Sequence, residues 1–304
     1  MRVVSLLPSA TEIIAALGAL DQLVGVTHAC DYPPQVTGLP RLTSTHVDGT
    51  AAPDAIDREV REATARGAPL YTVNEPLLAS LRPDVIVTQA LCDVCAVRET
   101  DVRAMVERLS PAPSIVTLSG TSIDGIGADI ERVGVAIDAH DEAEELLLGL
   151  RARLRSLHDR LRAARAPRPR VAVLEWTDPV YSAGHWVPEM VHRAGGVEVL
   201  ATAGEHSRAI ALADVQAQSP ELLVFAPCGY DLERATREAR SVLARDEWGW
   251  ARGLDVWAID ANALASRPGP RVIDGVEVLA GVMHPSVFGA PAGDRAAFVG
   301  QRAV

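Results

Sequence analysis

Short apolar runs alternate with amphipathic stretches along most of the chain. The runs are rich in Val, Ile and Leu and have the length of buried strands, while the segments between them repeat apolar residues at helical spacing. The predicted strands are residues 2–6, 23–27, 84–89, 114–118, 170–176, 221–226 and 256–260. The predicted helices include residues 11–17, 99–109, 188–194 and 271–283. Ser9 followed by Glu12 predicts a capping box at the start of the first helix, and the alternation as a whole predicts an α/β fold.

The longest helical pattern lies in the middle of the chain. Residues 123–164 contain no proline and keep apolar residues at helical spacing until the PRPR segment. A helix of about 40 residues is roughly 60 Å long, which suits a connection between two lobes. We therefore expect an N-terminal α/β lobe (1–120), a single long connecting helix (121–166), a C-terminal α/β lobe (167–290) and a frayed tail (291–304).

Composition and charge exclude several classes of function for this chain. The chain has 304 residues, a net charge of -11 and no lysine, so a nucleic-acid partner is not expected and a P-loop or Schiff-base lysine is excluded. No apolar run approaches the ~20 residues that span a bilayer. Pro8 and Glu12 interrupt the first apolar stretch too early for a signal peptide. These features predict a cytoplasmic protein with reduced thiols, for which an importer partner is not expected.

Each of the four cysteines comes just after a predicted strand. Cys30 lies in THACDYP beside His28, Cys92 and Cys95 lie in LCDVCAV, and Cys228 lies in VFAPCGY. Thiolates are soft ligands for zinc or iron–sulfur clusters, and a CxxC spacing lets two sulfurs reach one metal. These five residues are therefore candidate metal ligands, with Cys228 facing the others from the opposite lobe. A redox dithiol and ordinary reduced thiols are the alternatives.

A second set of candidates follows the strands of the C-terminal half. Glu175 and Trp176 end the strand at 170–176, and His185 and Trp186 follow after a short loop. Tryptophan rings offer a flat apolar surface for a planar ligand, and Glu175 or His185 could act as a catalytic acid or base. The alternatives are core packing for the tryptophans and a satisfied surface hydrogen bond for the histidine. His206 has no ligand-like neighbour in the sequence.

The polar edge of this predicted site comes from the SRPGPR turn. Arg267 and Arg271 flank the turn, and a rigidly held guanidinium suits recognition of a carboxylate or phosphate. The alternative is a helix start with Arg271 in solvent. The candidate ligand-binding residues are thus Trp176, Trp186, Tyr230, Asn262 and Arg267.

Several segments resemble a known family. RVVSLLPSATEIIAALGALDQLVGVT, RPDVIVTQ and SPELLVFAP, together with the predicted long helix, resemble the class III substrate-binding proteins of the periplasmic-binding-protein-like family. The similarity is greatest to the vitamin B12 (cobalamin)-binding branch and its haem and iron-siderophore relatives. It implies two α/β lobes with a ligand cleft between them and little hinge motion. THACDYP, CDVCAV, AGHWVPEM and SRPGPR resemble a leaderless, cysteine-containing subgroup of that branch.

The resemblance and the residues lead to different functions. The resemblance implies a binding protein for cobalamin or a related metal chelate or tetrapyrrole held in the cleft. The cysteines favour an enzyme with a bound zinc ion or iron–sulfur cluster, in which Arg267 anchors a small anionic substrate. A third possibility is an importer component whose leader lies upstream of the first residue. The sequence therefore leaves open whether the protein is an enzyme.

Overall fold

The computed structural model describes residues 1–91 and 96–300. It forms two compact units, one made of residues 1–120 and 124–149 and the other of residues 121–123 and those from Leu150 onward. Each unit combines helices with a mainly parallel sheet, which confirms the predicted α/β class. Among the helices of the described residues, none has the length and apolar character of a membrane-spanning segment.

The first unit is built on a parallel sheet. Its elements are β1 (Val3–Ser5), α1 (Pro8–Ala16), β2 (Leu23–Gly25), β3 (Thr43–Thr45), α2 (Pro53–Ala65), β4 (Tyr71–Val73), α3 (Glu75–Leu81), β5 (Val85–Gln89), α4 (Glu99–Val106), β6 (Ser114–Leu118) and α5 (Ile123–Ala136), with 3-10 turns at Leu20–Gln22 and Pro34–Gly38. The sheet has the order β2-β1-β5-β6, and β3 pairs with β4 in a separate antiparallel ribbon. β5 is buried along its whole length because it lies between two neighbours in the sheet.

The second unit contains a larger mixed sheet. Its elements are β7 (Arg170–Thr177), β8 (Val180–Ser182), α7 (Val187–Arg193), β9 (Val197–Glu198), α8 (Leu212–Ala217), β10 (Leu222–Phe225), α9 (Leu232–Leu243), a 3-10 segment at Asp246–Gly253, β11 (Asp255–Ile259), α10 (Ala261–Leu264), α11 (Val272–Met283), α12 (Pro285–Phe288) and β12 (Ala296–Phe298). The order is β12-β11-β10-β7-β8, and β9 also pairs with β7. β10 is parallel to β7 and β11, whereas β8 and β12 are antiparallel to their neighbours. Phe225 and Trp248, both almost fully buried, pack against each other in the core on one face of this sheet.

Helix α1 begins at Pro8, one residue before the predicted cap. Leu7 is the N-cap residue and supplies no side-chain hydrogen bond, while Ser9 is buried inside the first turn. Proline suits the first helical position because its φ is already helical and its missing N–H would have no partner there. The predicted capping box between Ser9 and Glu12 is therefore wrong.

The predicted single helix at 123–164 is also wrong, because the structure divides it into α5 and α6 (His140–Ala164). Asp138 has a φ of 57°, and the amide of Ala139 donates to Gly134 O at 2.8 Å. This is the hydrogen bond of a Schellman ending, with Asp138 in the left-handed position that glycine more often occupies. The two compact units divide at residues 149 and 150, within α6.

The C-terminal tail is part of the second sheet. Strand β12 pairs antiparallel with β11, with Phe298 opposite Trp257 and their ring centroids 5.5 Å apart. The predicted frayed tail from residue 291 is therefore wrong for these described residues. The short apolar run that ends in Phe298 is stabilised by the edge it covers.

Candidate functional site

The loops that follow β7, β10 and β11 lie at one edge of the second sheet, which we call the loop edge. Leu174 of β7 pairs with Phe225 of β10, and Phe225 pairs with Ala258 of β11, so the carboxyl ends of these parallel strands lie on the same side of the sheet. In open α/β sheets, ligands bind beyond the carboxyl ends of the strands. Among the residues predicted to contact ligand, Trp176 lies near the carboxyl end of β7, Tyr230 follows β10, and Asn262 and Arg267 follow β11. The loop edge is therefore the candidate binding surface of this unit.

Three hydrogen bonds donated by backbone amides of the loops hold the loop edge together. The donor and acceptor pairs are Cys228 N to Glu175 O (3.0 Å), Asn262 N to Tyr230 O (2.9 Å) and Gly229 N to Ser266 Oγ (3.0 Å). Each bond joins residues that are far apart in the chain. The side chains on these loops are therefore positioned by one connected network, as a binding site requires.

Trp176 and Tyr230 form the aromatic part of the loop edge. Their ring centroids are 5.4 Å apart in an edge-to-face arrangement. Tyr230 is 3% exposed, whereas Trp176 keeps part of its surface accessible. The guanidinium of Arg234 lies over the Tyr230 ring, 3.7 Å from its centroid, and burial raises the pKa of the Tyr230 hydroxyl. Trp176 is thus the aromatic side chain of this pair that can offer a face to a ligand.

Arg267 and Asn262 form the polar part of the loop edge. Nη2 of Arg267 donates to Oδ1 of Asn262 at 2.8 Å, and Arg267 is 7% exposed. Asp260 caps α10 by accepting from Ala263 N, and burial raises the pKa of this carboxyl. Arg271 precedes the first turn of α11 and is half-buried. The SRPGPR turn therefore holds Arg267, which is largely buried, against Asn262 at the loop edge and leaves Arg271 at a helix start.

Glu175 lies at the end of β7 with its side chain turned toward a backbone donor. Its Oε1 accepts from Gly184 N at 3.0 Å. Burial, with a smaller contribution from the charge of Glu175, raises the pKa of the neighbouring Glu198 to about 8. The Glu198 carboxyl also accepts from Leu200 N at 2.9 Å and Val173 N at 3.2 Å. The structure thus brings two carboxyl groups together, of which the sequence indicated only Glu175.

His185 forms a pair with His206. Nε2 of His185 lies 3.0 Å from Nδ1 of His206, and the ring planes are 87° apart. His185 has a φ of 53°, a left-handed backbone conformation that histidine adopts more readily than most residues. Burial and the neighbouring His206 lower the pKa of His185. Its imidazole is therefore mainly neutral near pH 7 and able to accept a proton or bind a metal.

Trp186 occupies a different environment from Trp176. It is 5% exposed, and its Nε1 donates to Ala265 O at 2.8 Å. Both the apolar ring and the polar N–H are thus used inside the unit, as is usual for a buried tryptophan. This placement favours the core-packing alternative for Trp186 and leaves Trp176 as the accessible ring.

Cys30 lies among hydroxyl groups in the first unit. Its Sγ is 3.1 Å from Thr11 Oγ1 and 3.2 Å from Thr27 Oγ1, and the residue is 1% exposed. Thr11 Oγ1 also donates to Ser5 Oγ at 2.8 Å. A buried thiol in such a network is well satisfied without a metal, which favours the alternative of a reduced, packed cysteine for Cys30.

His28 has its own partner beside Cys30. Its Nδ1 lies 2.7 Å from Thr43 Oγ1, and its ring centroid is 5.8 Å from that of Tyr71. Burial, followed by the charge of Arg41, lowers the pKa of His28. One ring nitrogen is thus fixed by Thr43.

The predicted metal site lies only partly within the described residues. Cys92 and Cys95 lie outside the described residues. Within residues 1–91 and 96–300, no group of three or more His, Cys, Asp and Glu side chains could hold a metal ion. Cys228 is exposed at the loop edge of the second unit. That all four thiols share one site with His28 stays a prediction.

Comparisons with known proteins identify related chains. The family described as Periplasmic binding protein matches residues 3–250. The chain is 24% identical to the vitamin B12-binding protein of Vibrio cholerae over 279 residues, which cover 91% of this chain and 86% of that protein. It is also 23% identical to the uncharacterized ABC transporter substrate-binding lipoprotein YvrC of Bacillus subtilis, over 94% of this chain and 81% of the relative.

Solved structures show a corresponding likeness in fold. A periplasmic heme binding protein from Pseudomonas aeruginosa matches with a TM-score of 0.71 and 21% identity, over 100% of this chain and 99% of that one. The periplasmic vitamin B12 binding protein of Vibrio cholerae matches with a TM-score of 0.65 and 23% identity, over 93% and 96% of the two chains.

Sequence reasoning missed His206, Arg234 and Glu198 as parts of the site. His206 is 21 residues from His185 in the chain, and the contact exists because the intervening segment returns along β8. Arg234 lies in the first turn of α9, after the N-cap residue Asp231. The residues around it indicate the start of a helix but not a contact with Tyr230. Glu198 lies in a short strand whose pairing with β7 is not evident from its own residues.

Proposed function

Because the chain belongs to the periplasmic binding protein family, we propose that it is a binding protein for a metal tetrapyrrole of the cobalamin or haem type. The ligand contacts the loop edge of the second unit. The accessible Trp176 ring, joined to Tyr230 and backed by the core, is the observation that carries this proposal. A planar macrocycle stacks best on a rigid aromatic surface with polar groups at its margin.

Arg267 and Asn262 supply that polar margin. Tetrapyrroles of these types carry carboxylate, amide or phosphate groups on their periphery, and a guanidinium binds such oxygens through two parallel hydrogen bonds. The hydrogen bond between Arg267 and Asn262 holds the side chains in a fixed relation before ligand arrives. Prearranged groups lose little conformational entropy on binding, so they add to affinity.

His185 is the group we assign to the metal centre of the ligand. Its lowered pKa keeps the imidazole neutral, which is the form that coordinates metal. The names of the relatives support the ligand class, since one of them binds vitamin B12 and one solved neighbour binds heme. The cytoplasmic location and the position of the ligand between the lobes stay predictions.

The enzyme alternative lacks a supporting observation in the described residues. Cys30 is satisfied by threonine hydroxyls, and no group of three or more metal ligands is found among residues 1–91 and 96–300. We therefore propose the binding function alone. Metal analysis of anaerobically purified protein checks the prediction of a cysteine-bound zinc ion or iron–sulfur cluster.

Titration with hydroxocobalamin and with haemin, followed by visible absorbance, tests the proposed function. We expect one of the two ligands to bind with a micromolar or lower Kd, corresponding to about 8 kcal/mol or more. Trp176→Ala removes on the order of 100 Å² of apolar contact, which is worth about 2.5 kcal/mol, and should weaken binding roughly 70-fold.

Trp257→Ala is the matched control, because Trp257 is also a half-buried tryptophan but contacts Phe298. It should leave the affinity for ligand within a factor of about three. The proposal fails if neither tetrapyrrole binds at micromolar concentration, or if both tryptophan variants lose affinity equally.

A further inference from the structure

The histidine pair, His185 and His206, is joined through one nitrogen of each ring. Nε2 of His185 lies 3.0 Å from Nδ1 of His206, and the ring planes are nearly perpendicular. This separation is that of a hydrogen bond, in which one nitrogen carries the proton and the other supplies a lone pair. Both facing nitrogens are therefore used within the pair.

The nitrogen of His185 that remains is Nδ1. Within the part of the chain that the structure describes, Nδ1 of His185 has no hydrogen-bond partner. A neutral imidazole carries one N–H and one lone pair. If Nε2 of His185 donates to His206, Nδ1 of His185 has the lone pair that a metal needs. If His206 donates instead, Nδ1 of His185 carries the proton and cannot bind a metal.

The backbone holds the two rings in contact. Residues 204–210 run antiparallel to residues 180–185, as an extension of the β8 edge. The hydrogen bonds are His185 N to Glu205 O (2.6 Å), Gly204 N to His185 O (2.8 Å), Ser182 N to Arg208 O (3.0 Å) and Ile210 N to Val180 O (2.9 Å). Both the amide and the carbonyl of His185 are bonded to the segment that carries His206, so the backbone beside the imidazole is fixed on both sides.

Close packing at Gly184 brings the same two segments together. A Cβ at Gly184 would overlap Ser207 N and would lie 2.9 Å from both His206 C and Ser207 Cα. The two backbone segments thus approach as closely as glycine allows. His206 therefore reaches His185 from a fixed backbone, and support of this kind is what holds a ligand-binding side chain in position.

A histidine that binds a metal usually donates its second ring N–H to a nearby acceptor. The acceptor fixes the tautomer and the orientation of the ring, and its loss typically lowers metal affinity by about 10–100-fold. Nδ1 of His206 has this position relative to Nε2 of His185. His206 is itself exposed, so the bond to His185 is the contact that gives its ring a role in the site.

We propose that His206 is a positioning residue for His185. Nδ1 of His206 accepts the proton on Nε2 of His185, and this bond leaves the lone pair on Nδ1 of His185 for the metal of the ligand. The inference rests on the proposed function, which assigns His185 to the metal centre. His206 does not bind the metal, so its effect on the ligand passes through the His185 ring.

Titration of His206 variants with hydroxocobalamin and with haemin, followed by visible absorbance, tests this role. We expect His206→Ala to bind roughly 10–100-fold more weakly than wild type. His206→Asn should recover most of that affinity, because an amide oxygen can accept the same hydrogen bond. His158→Ala is the matched control, since His158 is exposed on α6 and outside the pair, and it should bind like wild type. Circular dichroism shows whether each variant is folded.

Nuclear magnetic resonance of protein labelled with ¹⁵N-histidine gives a second measurement that needs no ligand. At pH 8, above the ordinary pKa of histidine, correlations between ring nitrogens and ring protons report which nitrogen carries the proton. The signals of His185 are those that are absent in His185→Ala. We expect the proton of His185 to be on Nε2 in wild type and in His206→Asn.

The two measurements separate a failure of this inference from a failure of the proposed function. If wild type binds neither tetrapyrrole, the proposed function fails and the role of His206 fails with it. If wild type binds one of them, a proton on Nδ1 of His185 overturns the role of His206 alone. Equal or tighter binding by His206→Ala overturns it as well, because His206 would then compete with the ligand for the ring. Equal losses in His206→Ala and His206→Asn would mean that His206 has only a structural role.

Discussion

Replacing Gly184 by alanine should separate the two segments that position the histidine pair. The added Cβ overlaps the backbone nitrogen of Ser207 and crowds His206 C, so residues 204–208 must move away from residues 182–185. Backbone atoms cannot change rotamer to relieve such a contact. The hydrogen bonds at risk are His185 N to Glu205 O, Gly204 N to His185 O and Ser182 N to Arg208 O.

The size of the effect follows from these contacts. Inserting a methyl group into a filled space costs about 1–3 kcal/mol, and each lost backbone hydrogen bond adds about 1 kcal/mol. Because the chain relaxes part of this, we expect the free energy of unfolding of the second unit to fall by about 2–4 kcal/mol. For a unit of this size, the corresponding decrease in Tm is roughly 4–16 °C.

Gly249→Ala is the matched control, because Gly249 lies in the same unit and a Cβ there meets no atom within 4 Å. Urea denaturation followed by tryptophan fluorescence measures both variants against wild type. A Gly184→Ala variant within 0.5 kcal/mol of Gly249→Ala, a margin typical of surface substitutions, would refute the reasoning. That result would mean that residues 204–208 are not packed against residues 182–185 as closely as the structure indicates.

Two further predictions concern ionisation and exposure. Burial raises the folded pKa of Glu198 from 4.5 to about 8, so its contribution to stability is present below pH 4.5 and is lost as the pH rises through 8. Glu198→Gln resembles the protonated acid and should therefore remove the fall in unfolding free energy between pH 5 and 8, as measured by urea titration. An unchanged pH dependence in this variant would contradict the assignment. Cys228 is exposed and Cys30 is 1% exposed. N-ethylmaleimide should therefore label Cys228 in the native protein and Cys30 only after denaturant is added, as detected by peptide mass spectrometry. Equal labelling rates for the two thiols would disprove the burial of Cys30.

The buried parallel strands were predictable from the sequence. The predicted strand at 114–118 coincides with β6, and those at 84–89 and 170–176 differ from β5 and β7 by one residue at one end. Central parallel strands are apolar on both faces, so each run carries its own signal. β8, β9 and β12 were missed because they are short, and their stability comes from pairing with β7 or β11.

The break between α5 and α6 left no local signal of the usual kind. Neither glycine nor proline occurs at residues 137–139, and Asp138 takes the left-handed position instead. The close packing of Gly134 against Ala143 depends on both helices already being in place. An unbroken apolar pattern was therefore compatible with one helix or with two.

The residues of the candidate site also fall into a part that was predictable from the sequence and a part that was not. Trp176, Tyr230 and Asn262 were predictable because each lies at or just beyond the carboxyl end of a parallel strand, and the carboxyl ends of parallel strands lie at one edge of the sheet. His206 reaches His185 only through the antiparallel register of residues 204–210 with residues 180–185. A shift of that register by one residue would turn the His206 side chain to the other face. Gly184 permits the close approach that keeps this register, which is why the alanine substitution there tests the part of the site that the sequence did not reveal.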